Sequence, residues 1–389
     1  MSATTATPGS LRPGRVTMLD PRNNSLNLVR LVLAALVLVS HAYPIAGAGG
    51  GPGFAGEHLG GWAVIGFFAI SGYLITGSRL RTTFTEYLGH RVARIFPAFL
   101  ACLVVVAFGF APVAYRIERG TLEGFLTTAN TPLNYVLANA GLRMSDYSVA
   151  GTLADVPHAG AWNGSLWTLY FEFLCYLVVG VAACAAVTRR SPLVLGAMFL
   201  LSVAAHVADG RVLQLFGGNT DAHWLFKLLP YFLGGAIVYM LRERIPLVWQ
   251  VALPAAAVVG VAVWLAPSWG GQLTAPLVAV VLLWVGRVVP SPAWFQRNDV
   301  SYGLYVYAFP CQQMATLLGA GALGVAGHVA VTLPPALALA AASWFWLERP
   351  VMRATRAASA GRTRQTAAQV DAAPTSPAPD ATAVRAQAG

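Results

Sequence analysis

Between residues 27 and 347 the chain returns ten times to an apolar run of the length, about 20 residues, that an α-helix needs to cross a bilayer. The runs fall near 27–48, 61–78, 95–114, 165–187, 192–208, 224–241, 246–266, 272–289, 301–320 and 324–347. Composition points the same way. Hydrophobic residues make up 57% of the chain and charged residues 10%, whereas soluble domains run near 25% charged. The expected fold class is all-α, a polytopic membrane protein of about ten transmembrane helices.

The formal charge of +10 does not point to nucleic acid, because of where it lies. With the N-terminus on the cytoplasmic side, every Lys and Arg falls in an inner segment except Arg116, Arg119, Arg143, Arg211 and, at a helix start, Lys227. That asymmetry is the positive-inside pattern, and it places both termini in the cytoplasm and the chain as a multi-pass protein of the inner or plasma membrane. Cys102, Cys175, Cys184 and Cys311 all sit in apolar spans with no C-x-x-C pair, which reads as small buried apolar residues. The seven histidines lack metal-ligand spacing, so no metal is expected. The first helix has no secretory cleavage pattern before it and is too long for a signal core, so it is expected to stay as an anchor.

Three regions follow. Residues 1–21 are Ser/Thr/Pro/Gly-rich and expected to be a disordered cytoplasmic N-terminus, 22–353 form the membrane domain, and 354–389 are an Ala/Pro/Thr-rich tail not expected to fold. The longest non-membrane stretch, 115–164, carries enough Asn, Gly, Pro and Trp to read as a structured outer loop. There is no internal repeat.

The polar residues inside these spans need explaining. Arg30 and His41 lie in the first span, eleven residues apart. At 100° per residue this leaves them about 20° apart on one face and about 16 Å apart in depth, with Arg30 near the cytoplasmic interface and His41 near mid-membrane. Ionisable groups are costly there and by default mark a pathway or a site; the plainer alternative is a topological anchor and an interhelical hydrogen bond. Histidine is also the side chain suited to moving a proton near neutral pH. Next, Arg79, Arg81, Arg91 and Arg94 crowd one inner loop and its flanks. Topology alone explains an arginine-rich loop, but guanidinium forks also match the oxygens of a multiply phosphorylated ligand. Ser71, Gly72 and Tyr73 lie in the second span, where a small residue permits close helix approach; Ser71 as a nucleophile has no neighbouring base in sequence. In NGSLWTLYFE, 163–172, Glu172 sits about two turns into the fourth span. Asn163, Ser165 and Trp167 have the character either of a sugar-facing surface or of an interfacial Trp beside an N-cap. Tyr302, Tyr305, Tyr307, Gln312 and Gln313 make the ninth span unusually polar, and Glu348 closes the tenth where a loop arginine could pair with it.

Taken in order, these stretches resemble the acyltransferase 3 family of integral membrane O-acyltransferases, over about residues 22–353. Arg30 and His41 match the Arg and His of its first helix. FFAISGY (67–73) matches F-F-x-I-S-G-[YF], and RVARIFP (91–97) matches R-x-x-R-I-x-P. Residues 163–172 match N-G-S-L-W-T-L-x-x-E, SYGLY (301–305) matches S-Y-x-[IL]-Y, and Glu348 to Pro350 is the closing E-x-P. The resemblance departs at Ala308, where many members carry a histidine, and in a tail without the esterase-like domain that some members append. It implies transfer of an acyl group, usually acetyl, from cytoplasmic acyl-CoA to a sugar hydroxyl of a cell-surface polysaccharide or glycolipid. On that reading His41 takes the acceptor proton or carries the acyl group, Arg30 guides the donor, and Glu172 or Glu348 orients the imidazole or an arginine. The donor is expected on Arg79, Arg91 and Arg94 with Ser71 and Tyr73 beside them, and the acceptor on Asn163, Ser165, Trp167, Tyr302 and Tyr305. Two other readings stay open: a small glycosylated metabolite such as a macrolide sugar as acceptor, and a proton-coupled transporter, which would more often show repeated halves.

Overall fold

A computed structural model describes residues 18–21 and 23–371, with side chains through residue 361. Ten helices carry the fold: α1 Leu26–Ile45, α2 Leu59–Arg79, α3 Phe84–Arg119, α4 Trp167–Ala182, α5 Leu193–Val207, α6 Thr220–Met240, α7 Trp249–Leu265, α8 Ala275–Val288, α9 Ser301–Leu317 and α10, which starts at Gly324 and runs through Trp344–Glu348 into Arg349–Asp371. Each expected apolar run therefore has a helix at its centre. The two-residue strands Gly53–Phe54 and Glu57–His58 pair as one hairpin between α1 and α2. Among the described residues four helices (α1, α2, α3 and Ala320–Gly361) are long and apolar enough to cross a membrane. Leu193–Val207 with Asp209–Leu215 makes a fifth if that pair, bent by 94°, is one span. Helices α4, α7 and α8 are apolar but have 16, 17 and 14 residues. At 1.5 Å per residue they fall short of a ~30 Å hydrocarbon core when straight and upright.

The helix at the C-terminal end continues to Asp371, past the point where the expected tail would begin. Residues 1–17, where most of the expected disordered N-terminus falls, and 372–389 lie outside the described residues.

Small residues set the closest crossing, between α2 and α6. A methyl group on Gly72 would sit 1.9 Å from the Phe232 carbonyl oxygen, and one on Gly235 would sit 2.0 Å from the Ala69 carbonyl oxygen. The two backbones are in contact there, which is the close approach expected at 71–73. Gly72→Val should force the pair apart. Overpacking of this kind costs about 1–3 kcal/mol, occasionally more, so a lower thermal midpoint of the detergent-purified variant is expected. Helix α1 packs between α2 and α9. Gly60 meets Ser40 and Gly66 meets Leu33, so α1 and α2 are antiparallel and Ser71 comes level with the Arg30 end of α1.

Two helices widen by a π turn, Val106–Phe110 in α3 and Trp344–Glu348 in α10. Such turns often mark functional positions; the second turn places Glu348 against α3. The segment between α3 and α4 is held as a structured loop, as expected. Trp162 is fully buried, donates to the Thr152 hydroxyl at 2.8 Å and stacks on Phe110, while Asn130 and Asn139 hydrogen-bond across its turns.

Candidate active site

At the arginine-rich end of the bundle a cavity of about 550 Å³ opens between α1, α2, α3 and α10. Six arginines line it: Arg30, Arg81, Arg91, Arg94, Arg297 and Arg356. Asp299 is the one acidic side chain in that wall. The inner arginines are seated by carboxylates. Asp299 takes ion pairs from both Arg30 and Arg94, the second at 2.6 Å, and accepts from the Ser301 hydroxyl. The second face of Arg94 pairs with Glu348 at 2.9 Å, and Ser343 donates to the other oxygen of Glu348. Arg81, Arg91, Arg297 and Arg356 make no salt bridge among the described residues. Arg91 lies over the rings of Tyr87 and Tyr176, and its buried Nε has no hydrogen-bond partner. An uncompensated guanidinium in a wall already rich in positive charge suits an anion.

Arg30 also lines a second, small space of about 30 Å³. Phe67, Phe68, Leu169, Tyr302 and Tyr305 form its walls, and Glu172 lies at its edge. One oxygen of Glu172 accepts from the Ser71 hydroxyl and the Tyr176 hydroxyl, both at 2.7 Å. Glu172 therefore ties α2 to α4, and its hydrogen bonds go to Ser71 and Tyr176, not to His41.

Deeper along the same face of α1, His41 meets the edge of Phe309 with ring centroids 5.1 Å apart. The Val37 carbonyl, a turn back, lies near the His41 ring. A neutral imidazole carries one N–H and one lone pair. The second edge of Phe309 meets His158, at 5.6 Å. Phe309 reaches this place because residue 164 has no side chain: a methyl there would stand 2.8 Å from the ring.

The expected site residues separate into three groups. Arg30, Arg91, Arg94 and Ser71 line the large cavity together, and Glu172, Tyr302 and Tyr305 stand at the small space that Arg30 also lines. Glu348 pairs with an arginine of α3, as expected. Arg79 does not reach the cavity. It is 1% exposed and its donors are taken by the Gly180 and Thr82 carbonyls and the Cys184 sulfur, so it closes the end of α2 on α4. Tyr73 packs on Tyr239 instead. The sugar-facing surface expected at Asn163 and Ser165 is not there, because both are buried and bond inward. Asn163 donates to the Val306 carbonyl at 2.7 Å and accepts from the Ser165 hydroxyl at 2.8 Å, locking the loop to α9. Trp167 is half-buried and lies on Trp224 with centroids 4.6 Å apart.

Asp299, Arg297, Arg356 and His158 were not singled out from sequence. Asp299 carried a readable signal, a carboxylate at the start of a polar span with a serine two residues on. Nothing local marks Arg297, Arg356 or His158.

The chain is 31% identical over 312 residues to a protein named O-acetyl transferase from Shigella phage Sf6, covering 75% of this chain and 86% of that one. It is 26% identical over 362 residues to Nodulation protein 10 of Rhizobium leguminosarum bv. viciae, covering 85% and 93%. No solved structure matches. The profile of the acyltransferase 3 family, an acyltransferase domain, matches residues 23–346, and the chain belongs to that family.

Proposed function

We propose that this is a multi-pass O-acyltransferase of the cell membrane, with ten crossings, both termini and the arginine-lined cavity on the cytoplasmic side. It would move an acetyl group from acetyl-CoA to a sugar hydroxyl of a cell-surface polysaccharide or glycolipid. The observation that carries the reading is the surplus of positive charge in the cavity: six arginines face one lining carboxylate. Coenzyme A is a multiply phosphorylated anion, and this space has the matching charge. It has exposed Arg81, Arg297 and Arg356 for phosphates, and Arg91 beside them makes no salt bridge among the described residues. The name of the phage relative supports acetyl as the group moved.

The chemistry is one displacement. The acceptor hydroxyl oxygen attacks the thioester carbonyl, its proton passes to the unprotonated ring nitrogen of His41, the C–S bond breaks, and the thiolate takes that proton to leave as the free thiol. A neutral imidazole, with one N–H and one lone pair, suits the base role.

Arg91→Ala should weaken acetyl-CoA binding by about 10- to 100-fold, because a hydrogen bond to a charged partner is worth about 1.5–3 kcal/mol and nothing in the fold depends on the Arg91 Nε. Arg79→Ala should instead lower the yield of folded protein and leave the affinity of the remainder unchanged. Binding of labelled acetyl-CoA to purified protein distinguishes the two. Wild-type affinity in both Arg91→Ala and Arg356→Ala would remove the donor from this cavity.

A further inference from the structure

His158 stands in the outer loop with Pro157 and Ala159 exposed on either side, yet its ring is seated. It lies on one edge of Phe309 while His41 lies on another, and the two imidazoles are within electrostatic range of each other. The loop is pinned from beneath. Gln313, fully buried one turn beyond Phe309 on α9, donates its amide to both the His158 and the Ala161 carbonyls, at 2.7 and 2.6 Å. The neighbouring Gln312 reaches the Leu38 carbonyl of α1, one turn before His41. Two successive residues of α9 thus hold the loop backbone at His158 and the α1 backbone a turn before His41.

The polar groups here are not all satisfied by the protein alone. The Gln313 Oε1 is buried with no hydrogen-bond partner, as is the Oε1 of Gln312, and the His158 ring makes no hydrogen bond among the described residues. Buried acceptors left open are rare because each forfeits a bond it would have had in water. The open Gln313 oxygen and an unengaged imidazole in the same loop, one aromatic ring away from the proposed base, have the chemistry of a hydroxyl subsite. A hydroxyl donates to the Gln313 oxygen, and the His158 ring bonds to its neighbour. Burial keeps His158 below the ordinary imidazole pKa, so near neutral pH its ring can both donate and accept.

Building on the function proposed above, we propose that His158 and Gln313 form the acceptor subsite, binding a sugar hydroxyl next to the one that His41 deprotonates. The outer loop would then choose the sugar and the arginine cavity the donor, with Phe309 between them.

The test uses membranes carrying each variant, labelled acetyl-CoA as donor, and as acceptor the envelope glycan purified from a strain lacking the gene. His158→Ala should raise the glycan concentration at half-maximal transfer about tenfold, leave that for acetyl-CoA within about twofold, and slow the saturated rate far less than His41→Ala does. His158→Gln, which keeps a donor and an acceptor, should recover part of the loss. Unchanged acetyl-CoA binding shows that the variant is folded. An unchanged glycan half-saturation in His158→Ala, with the wild type active, overturns this assignment alone. A wild type that binds acetyl-CoA yet acetylates no glycan overturns the acceptor class and this subsite with it.

Discussion

His41→Ala should abolish acyl transfer while the protein remains inserted and folded. Two features make the effect so one-sided. The imidazole does little for the fold: it touches Phe309 edge-on, and it joins no two helices by a hydrogen bond among the described residues. Large stability losses come from cavities, broken networks or stranded charges, and this substitution creates no stranded charge and breaks no network. The chemical cost is large. A positioned general base contributes about 10²- to 10⁴-fold, and α1 holds no other imidazole and no carboxylate. Detergent-purified His41→Ala should elute and melt like the wild type and bind acetyl-CoA with wild-type affinity, because Arg30 and the cavity lie about 16 Å away along the helix. Acetyl esters on the acceptor, measured by mass spectrometry after alkaline release, should fall to background. Activity within a few-fold of wild type would take the histidine out of the mechanism.

What could be read from the sequence is what one helix determines by itself. The relation of Arg30 to His41 follows from the α-helical repeat, and the structure keeps them on one side of α1, one at a cavity and the other at Phe309. Glu348 as the partner of a loop arginine was legible for a similar reason, since a carboxylate at a helix end beside an arginine-rich connection has few other ways to be compensated. The failures came where the partner is remote in sequence. Arg79 and Arg91 look alike in the chain, but the first is consumed by the Gly180 carbonyl and the Cys184 sulfur, 101 and 105 residues on, while the second lines the cavity. Asn163 and Ser165 have sugar-binding composition, yet α9 folds back over them and turns the same groups into a lock. Ser71 had no base in its neighbourhood of sequence; in the fold Glu172 lies 2.7 Å from it. His158 was unreadable because its meaning depends on Phe309 and Gln313, which approach from another helix.

Asp299→Ala is expected to be the most destabilising single change at the site. Its carboxylate serves two arginines from two helices, Arg30 of α1 and Arg94 of α3, and is itself held by Ser301. Removing one partner of a buried pair costs about 3–5 kcal/mol, since the charge left behind has lost its compensation. Arg94 keeps its direct pair with Glu348, whereas Arg30 would have no salt bridge left among the described residues and would lie over the Phe67 ring, 5.9 Å from its guanidinium carbon. The principal damage should therefore fall on α1, and relieving Arg30 should repair much of it. Asp299→Leu combined with Arg30→Met replaces the stranded charge with apolar volume, a change that is often neutral or stabilising at buried ion pairs. The thermal midpoint should fall steeply in Asp299→Ala and return most of the way in the double variant. Activity should not return with it, because Arg30 borders both the large cavity and the small space. A midpoint in Asp299→Ala indistinguishable from wild type would mean that the shared carboxylate does not hold these helices together. A double variant that recovers transfer along with stability would mean that Arg30 serves the fold and not the donor path.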